Sequence, residues 1–298
     1  MISLAIADRF RDCHFSISDT VLHETAFVGD HHQLSKLLLN PEVRGQINKK
    51  NHLGCTALRL AATGGHTECV EILLREGANI DIPDVKAQTP LFVAVKNNHT
   101  ETAHALLQQG ADPEGDLENN TSPIYTACMN GCIHLVKLLI DYNAYLGHRC
   151  RINRLFSMDP LQICVVYQQY DCLKLLLHSG ADPNFQVTSL NSRPGMPSLY
   201  HFALRQHCDV GVFKLLYEFG TKLHVKDERG RFPWDVPTSG VSEHPDDVID
   251  YLIHIRDVPR SLLSSCRLQL HRSAGARWKN KDLSIPSSVA AYLAFEDV

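Results

Sequence analysis

Hydrophobic positions in this chain recur with two periods at once, a short one of three to four residues and a long one of 33. CTALRLAATGGHTECVEILLREGANID (55–81) and QTPLFVAVKNNHTETAHALLQQGADP (88–113) align without a gap, and TSPIYTACMNGCIHLVKLLIDYNA (121–144) follows them. Leu58, Leu91 and Ile124 stand 33 apart, and Gly77-Ala78, Gly110-Ala111 and Asn143-Ala144 repeat the interval. Within each unit the pattern predicts two short helices. Thr89-Pro90 opens the first, with threonine as N-cap and proline at a position whose missing N–H costs nothing. Alanine pairs such as Ala61-Ala62 let these first helices approach closely, and Val70, Ile72, Leu73 and Leu74 predict a buried face on the second. Gly77, Gly110, Gly180 and Gly220 suit the left-handed conformation that ends a helix.

The pattern extends outward with decay. TVLHETAFVGDHHQLSKLLLN (20–40) reads as a first unit, 36 residues ahead by Leu22 to Leu58. DPLQICVVYQQYDCLKLLLHSGADPN (159–184) reads as a fifth, 37 after Ile124, and PSLYHFALRQHCDVGVFKLLYEFGTKL (197–223) as a sixth, 38 after Leu161 by Leu199. GRFPWDV (230–236) followed by DDVIDYLI (246–253) reads as a degraded seventh with Trp234 in the leucine position. The excess length falls in 145–158 and 184–197, where glycine and proline indicate longer loops.

A period of 33 with T-P-L near the start and G-A-D-P-N near the end resembles the ankyrin repeat. The resemblance implies an all-α solenoid of helix pairs joined by short β-hairpin loops over residues 16–253, about six repeats plus a degenerate seventh. Such repeats cannot bury their faces alone, so both ends need covers. Residues 1–15 are expected to cap the first end.

Beyond the repeats, VPRSLLSSCRLQL (258–270) presents a different pattern. Pro259 suits a first helical turn and Gly275 a stop, and at 100° per residue Leu262, Leu263, Cys266 and Leu270 fall on one stripe with Leu268 opposite. One side is expected to pack on the protein and the other to meet a partner; the plain alternative is a capping helix whose stripe is core.

The spacing Ser261-Leu262, Cys266, Leu270 resembles the elongin-binding motif of the SOCS box, and LSIPSSVAAYL (283–293) resembles that box's cullin-binding part. Ser284 stands where the family usually has proline. The chain is thereby similar to ankyrin repeat and SOCS box proteins, with residues 254–298 forming a small three-helix box. That resemblance implies a non-catalytic substrate receptor of a cullin-RING ubiquitin ligase, joined through elongin C and elongin B to cullin-5 and its RING partner. Leu262, Cys266 and Leu270 are then the elongin C contacts, and Leu283, Ile285 and Pro286 face the cullin. A non-degradative ankyrin scaffold or competitive inhibitor that recruits no cullin stays open through Ser284.

Composition narrows the partners. Lys and Arg number 29 against 33 Asp and Glu, so no global positive field attracts nucleic acid or membrane. Residues 256–281 hold seven basic side chains against Asp257 alone, without aromatic interleaving beyond Trp278, and read as a solvated face or a contact for an acidic partner surface. MISLAIADRFRDC lacks the basic start and length of a signal peptide, and no run approaches the ~20 apolar residues of a membrane span. Ten cysteines without a C-x-x-C pair, several inside apolar stretches (Cys69, Cys164, Cys172), read as reduced thiols of the cytosol or nucleus. Cys128 and Cys132 lack a second pair to complete a metal site, and His31, His32 and His66 fall at helix-to-helix turns. Neither a cofactor nor a catalytic centre is expected. Candidate target contacts, at hairpin tips and on the outward side of the first helices, are His52, Arg59, Lys86, Phe92, Glu118, Tyr125, Gln162 and Tyr200.

Overall fold

The computed structural model describes residues 20–119, 121–147, 159–184, 198–236, 245–258, 260–261, 264–266 and 268–269. These divide between two compact units. The first takes the described residues up to Ala127 together with Asp141–Ala144, and the second takes Cys128–Ile140 and those from Tyr145 onward. The expected cap over 1–15 and the cullin-facing motif lie outside the described residues.

Each unit is built of short helix pairs. In the first they are Val21–Val28 with His31–Leu38, Ala57–Gly64 with Thr67–Arg75, and Pro90–Lys96 with Thr100–Gln108. In the second they are Pro160–Val166 with Tyr170–His178 and Leu199–Arg205 with Val210–Glu218. Helix Pro123–Met129 spans the division, and Ile133–Asp141 follows it. Among the described residues no β-strand forms, so the hairpins expected between pairs are loops of turns and bends rather than strand pairs.

Caps set the register. Thr56 and Thr89 hydroxyls each accept the backbone N–H three residues on, at 3.2 Å, and the Asp159 carboxylate accepts that of Gln162 at 2.7 Å. Such a bond satisfies one of the amides that a helix start leaves unpaired. The second helices stop at Gly77, Gly110, Gly180 and Gly220, all with positive φ.

The first helices are buried nearly all round. Ala57, Leu58, Leu60, Ala61 and Ala62 are at most 2% exposed, and Leu91 to Val95 at most 4%. Short alanine side chains permit this, because neighbouring helices must approach closely for a helix of two turns to lose its water. The second helices bury one side and leave the other to solvent: Cys69, Val70 and Leu73 are buried in one, and Thr102, Ala103, Ala105, Leu106 and Leu107 in the next. Ile72 and Leu74 are half-buried, so the buried side follows helical spacing rather than the run of apolar residues in the sequence.

The seventh repeat is shortened. Its first helix is the single 3-10 turn Pro233–Asp235, and its second is Pro245–Asp257, which buries Val248, Leu252 and Ile255. Phe232 and Trp234 stack at 4.7 Å, with Lys226 against the former ring and Arg256 against the latter.

Candidate functional site

Two surfaces matter to the sequence-based expectation: the hairpin tips with the neighbouring first helices, and the segment that follows the last repeat.

At three hairpins the same device shapes the tip. Asn51, Asp84 and Asp227 each accept, through one side-chain oxygen, the backbone N–H groups two and four residues on, at 2.8–3.0 Å. These bonds fold the loop back on itself as an Asx turn does. Arg231 also grips Asp227 through two guanidinium nitrogens at 2.8 and 3.1 Å. Burial alone would raise the Asp227 pKa. The Arg231 guanidinium and the N–H groups of Arg231 and Arg229 outweigh it and hold this carboxyl at about 2.

Successive tips are tied together. Within the first unit the Val85 N–H donates to the Leu53 carbonyl at 3.1 Å, and the Lys50 ammonium to the Pro83 carbonyl at 3.0 Å. In the first and sixth repeats the third residue after the helix cap adds a second tie. His23 accepts the Thr20 N–H at Nδ1, so Nε2 carries the proton and donates to the Lys49 and Cys55 carbonyls of the next hairpin. His201 repeats the arrangement from the Ser198 N–H to the Arg231 carbonyl, and burial lowers its pKa. In the second repeat Arg59 takes this place and donates to Asp84 at 2.6 Å.

That register corrects three of the expected target contacts. Arg59 and Phe92 are each 4% exposed: the Arg59 guanidinium ties its repeat to Asp84 of the next instead of facing outward, and the Phe92 ring belongs to the core. Tyr200 is fully buried and stacks on Phe213. Ser198 takes the cap place that Asp159 holds in the fifth repeat, so Tyr200 and not Leu199 takes the leucine position, and it belongs to the core. Of the remaining candidates, His52, Lys86 and Glu118 are exposed, and Tyr125 and Gln162 half-exposed. His52 and Lys86 lie on neighbouring tips of the first unit, and Gln162 lies in the second.

Sequence reasoning missed one small-to-large complementarity. Gly29 and Gly65, between the helices of their pairs, have positive φ, and a Cβ on either would strike the ring of His66 or His99 from the following repeat. His66 donates to the Phe27 carbonyl at 3.0 Å and His99 to the Thr63 carbonyl at 3.1 Å. The signal was present as G-G-H in 64–66, where the histidine is structural as expected.

Beyond the seventh repeat, Arg260 lies over the Tyr217 ring at 4.3 Å. The Ser261 hydroxyl then accepts the Ser264 N–H at 3.1 Å, and the Ser265 N–H bonds the Ser261 carbonyl at 3.0 Å. The cap of this helical segment is therefore Ser261 rather than the Pro259 start expected from sequence. Leu268 is buried at 7%, whereas Cys266 is exposed. Leu262, Leu263 and Leu270 lie outside the described residues, as do Leu283, Ile285 and Pro286.

The described cysteines are free, and six of them, including Cys69, Cys164 and Cys172, are buried. Burial pushes the Cys69 thiol up to about 11 and the Cys172 thiol to about 12, away from thiolate chemistry. Among the described residues no three His, Cys, Asp or Glu side chains gather as metal ligands, and no helix is long and apolar enough to cross a membrane.

A family model of ankyrin repeats (3 copies) matches residues 22–116 and again 113–187. The chain is similar to Ankyrin repeat and SOCS box protein 1 of Mus musculus, 35% identical over 93% of this chain and 89% of that protein. To Ankyrin repeat and SOCS box protein 12 of Mus musculus it is 36% identical over 91% of this chain and 90% of the other. The crystal structure of the human ASB11 ankyrin repeat domain matches with a TM-score of 0.60 at 26% identity, covering 82% of this chain and all of that domain. Paired helices in ankyrin register, followed by a segment with one face packed and Cys266 outward, agree with these likenesses, and the chain belongs to the ankyrin repeat and SOCS box family.

Proposed function

We propose that this chain is the target-recognition subunit of a cullin-5 RING ubiquitin ligase, joined to it through elongin C and elongin B. The observation that carries the reading is the split of the segment after the last repeat. Leu268 packs on the protein while Cys266, two residues before it, faces solvent. A segment serving only as a cap would turn its apolar stripe inward. The exposed side at Cys266 is the one this reading gives to elongin C, together with Leu262 and Leu270, which the sequence pattern sets on the same stripe. Small apolar anchors entering a pocket carry most of the energy of such an interface. Leu283, Ile285 and Pro286 are the cullin-facing residues.

In this reading the chain makes no bond itself. Its repeats hold a target while the box holds the ligase, and the two partners meet at the high effective concentration that a shared scaffold creates. Ubiquitin transfer belongs to the RING and its conjugating enzyme, and degradation of the target follows. The buried, free thiols fit a reducing compartment, the cytosol or the nucleus.

The test is co-expression with elongin B and elongin C, with and without Leu262→Ala/Cys266→Ala, followed by capture of cullin-5. The reading expects a soluble ternary complex that binds cullin-5 and is lost in the double variant. Elongins recovered without cullin-5 mark a scaffold that recruits no ligase, and absence of elongin from the wild-type preparation overturns the reading.

A further inference from the structure

The third and fourth repeats put an unusual pair of features on neighbouring hairpins. Val85, at one tip, is 69% exposed, and Leu117, in the next hairpin, is 41% exposed. Around them the charge is one-sided. From Asp81 to Glu118 the chain carries seven carboxylates against Lys86 and Lys96, and four of the seven, Asp112, Glu114, Asp116 and Glu118, fall within the Leu117 hairpin.

The hairpins are rigid. Val85 is bonded through its N–H to Leu53, and Asp84 shapes the Val85 tip from inside. The Asp112 N–H donates to the Asp81 carboxylate at 3.2 Å, which ties the acidic hairpin to its neighbour. Asp112 and Asp116 spend one oxygen each on the backbone N–H two residues on. Among the described residues neither they nor Glu118 form an ion pair.

Exposed apolar side chains on pre-formed tips cost little to order, and uncompensated carboxylates beside them favour cations. We infer that this edge of the first unit docks a basic, extended segment of a target protein, one in which Lys or Arg side chains alternate with apolar ones. The apolar side chains cover Val85 and Leu117, and the cations meet Asp112, Asp116 and Glu118. Alternation follows from strand geometry, since successive side chains of an extended segment point to opposite sides. An acidic partner is disfavoured at the same place by like charge. The inference rests on the receptor reading above, and it names the class of target.

The experiment uses the full chain in complex with elongin B and elongin C. The probes are two fluorescent peptides, one alternating Lys and Arg with Leu and Val, the other with Glu and Asp in place of the cations. Binding is read by anisotropy at low and high salt. The basic peptide is expected to bind at least ~10-fold tighter than the acidic one, and to weaken ~10-fold both in Val85→Ser/Leu117→Ser and in Asp116→Lys/Glu118→Lys. Salt is expected to weaken it further. Glu118→Lys alone changes only an exposed side chain, so its loss of binding with an unaltered melting curve separates docking from folding. Equal binding of the two peptides, or unchanged binding in both double variants, overturns the inference. The two readings fail separately: an intact elongin complex without peptide selectivity removes only this surface. Peptide selectivity in a chain that never holds elongin removes only the ligase.

Discussion

The Arg59 guanidinium reaches from the second repeat to the Asp84 carboxylate of the third at 2.6 Å, with both side chains about nineteen-twentieths buried. This pair occupies the place where His23 and His201 bond carbonyls of the next hairpin. Because Asp84 also holds the Lys86 and Gln88 amides, one residue joins the shape of a tip to the stacking of two repeats. Removing one partner leaves a buried charge uncompensated, which costs about 3–5 kcal/mol. Arg59→Ala and Asp84→Asn should each lower the unfolding free energy by that order, seen as an earlier denaturant midpoint. The double variant should cost clearly less than the two losses added, as a double-mutant cycle in urea will show.

Ala87 has φ of 56° at the turn position where the hairpins of Asn51 and Asp227 have Gly54 and Gly230. A left-handed alanine costs roughly 1–2 kcal/mol, part of which glycine returns as unfolded-state entropy. Ala87→Gly should therefore raise stability by roughly 0.5–1 kcal/mol. A lower melting temperature for this variant contradicts the assigned turn.

Gly65 presents the opposite case. Alanine there keeps an unfavourable φ and displaces the His99 ring from its bond to Thr63. The expected loss for Gly65→Ala is about 2 kcal/mol. Adding His99→Ala should recover part of it, because the clash goes with the ring; a fully additive pair argues against the contact.

Asp159 titrates at about 6, since burial outweighs the amides of Gln162 and Leu161 that its carboxylate accepts and the nearby Asp182 raises it further. An unfolded aspartate titrates near ~3.9. Between these values the folded chain binds more protons than the unfolded one, so stability falls as pH rises through the window, by up to about 3 kcal/mol. Asp159→Asn retains a cap oxygen without the charge. It should flatten the stability profile between about pH 4 and 6 and stabilise the chain at neutral pH. An unchanged slope across that window counts against this assignment.

Much of this was legible in the sequence for a physical reason. Period, helix stops at Gly77 and Gly110, and the Thr89-Pro90 start are local signals, each set by backbone conformation within a few residues. The errors came from burial and register that no signal within a few residues announces. Arg59 looked outward by register, yet what faces it is Asp84 of the next hairpin, 25 residues on, and Phe92 of the same register is buried in the core. Tyr200 was misplaced by one residue because Ser198, not Pro197, sets the start of its helix. The opposition of Cys266 to Leu268 was legible, since helical geometry alone separates them.

Cys266 also offers the most direct measurement of the central claim. The free chain and its complex with saturating elongin B and elongin C are treated with a maleimide, and modification is followed by mass spectrometry, with half-buried Cys132 as the internal reference. The account predicts rapid modification of Cys266 in the free chain and strong protection in the complex, with Cys132 unchanged. Equal modification of Cys266 in both contradicts it.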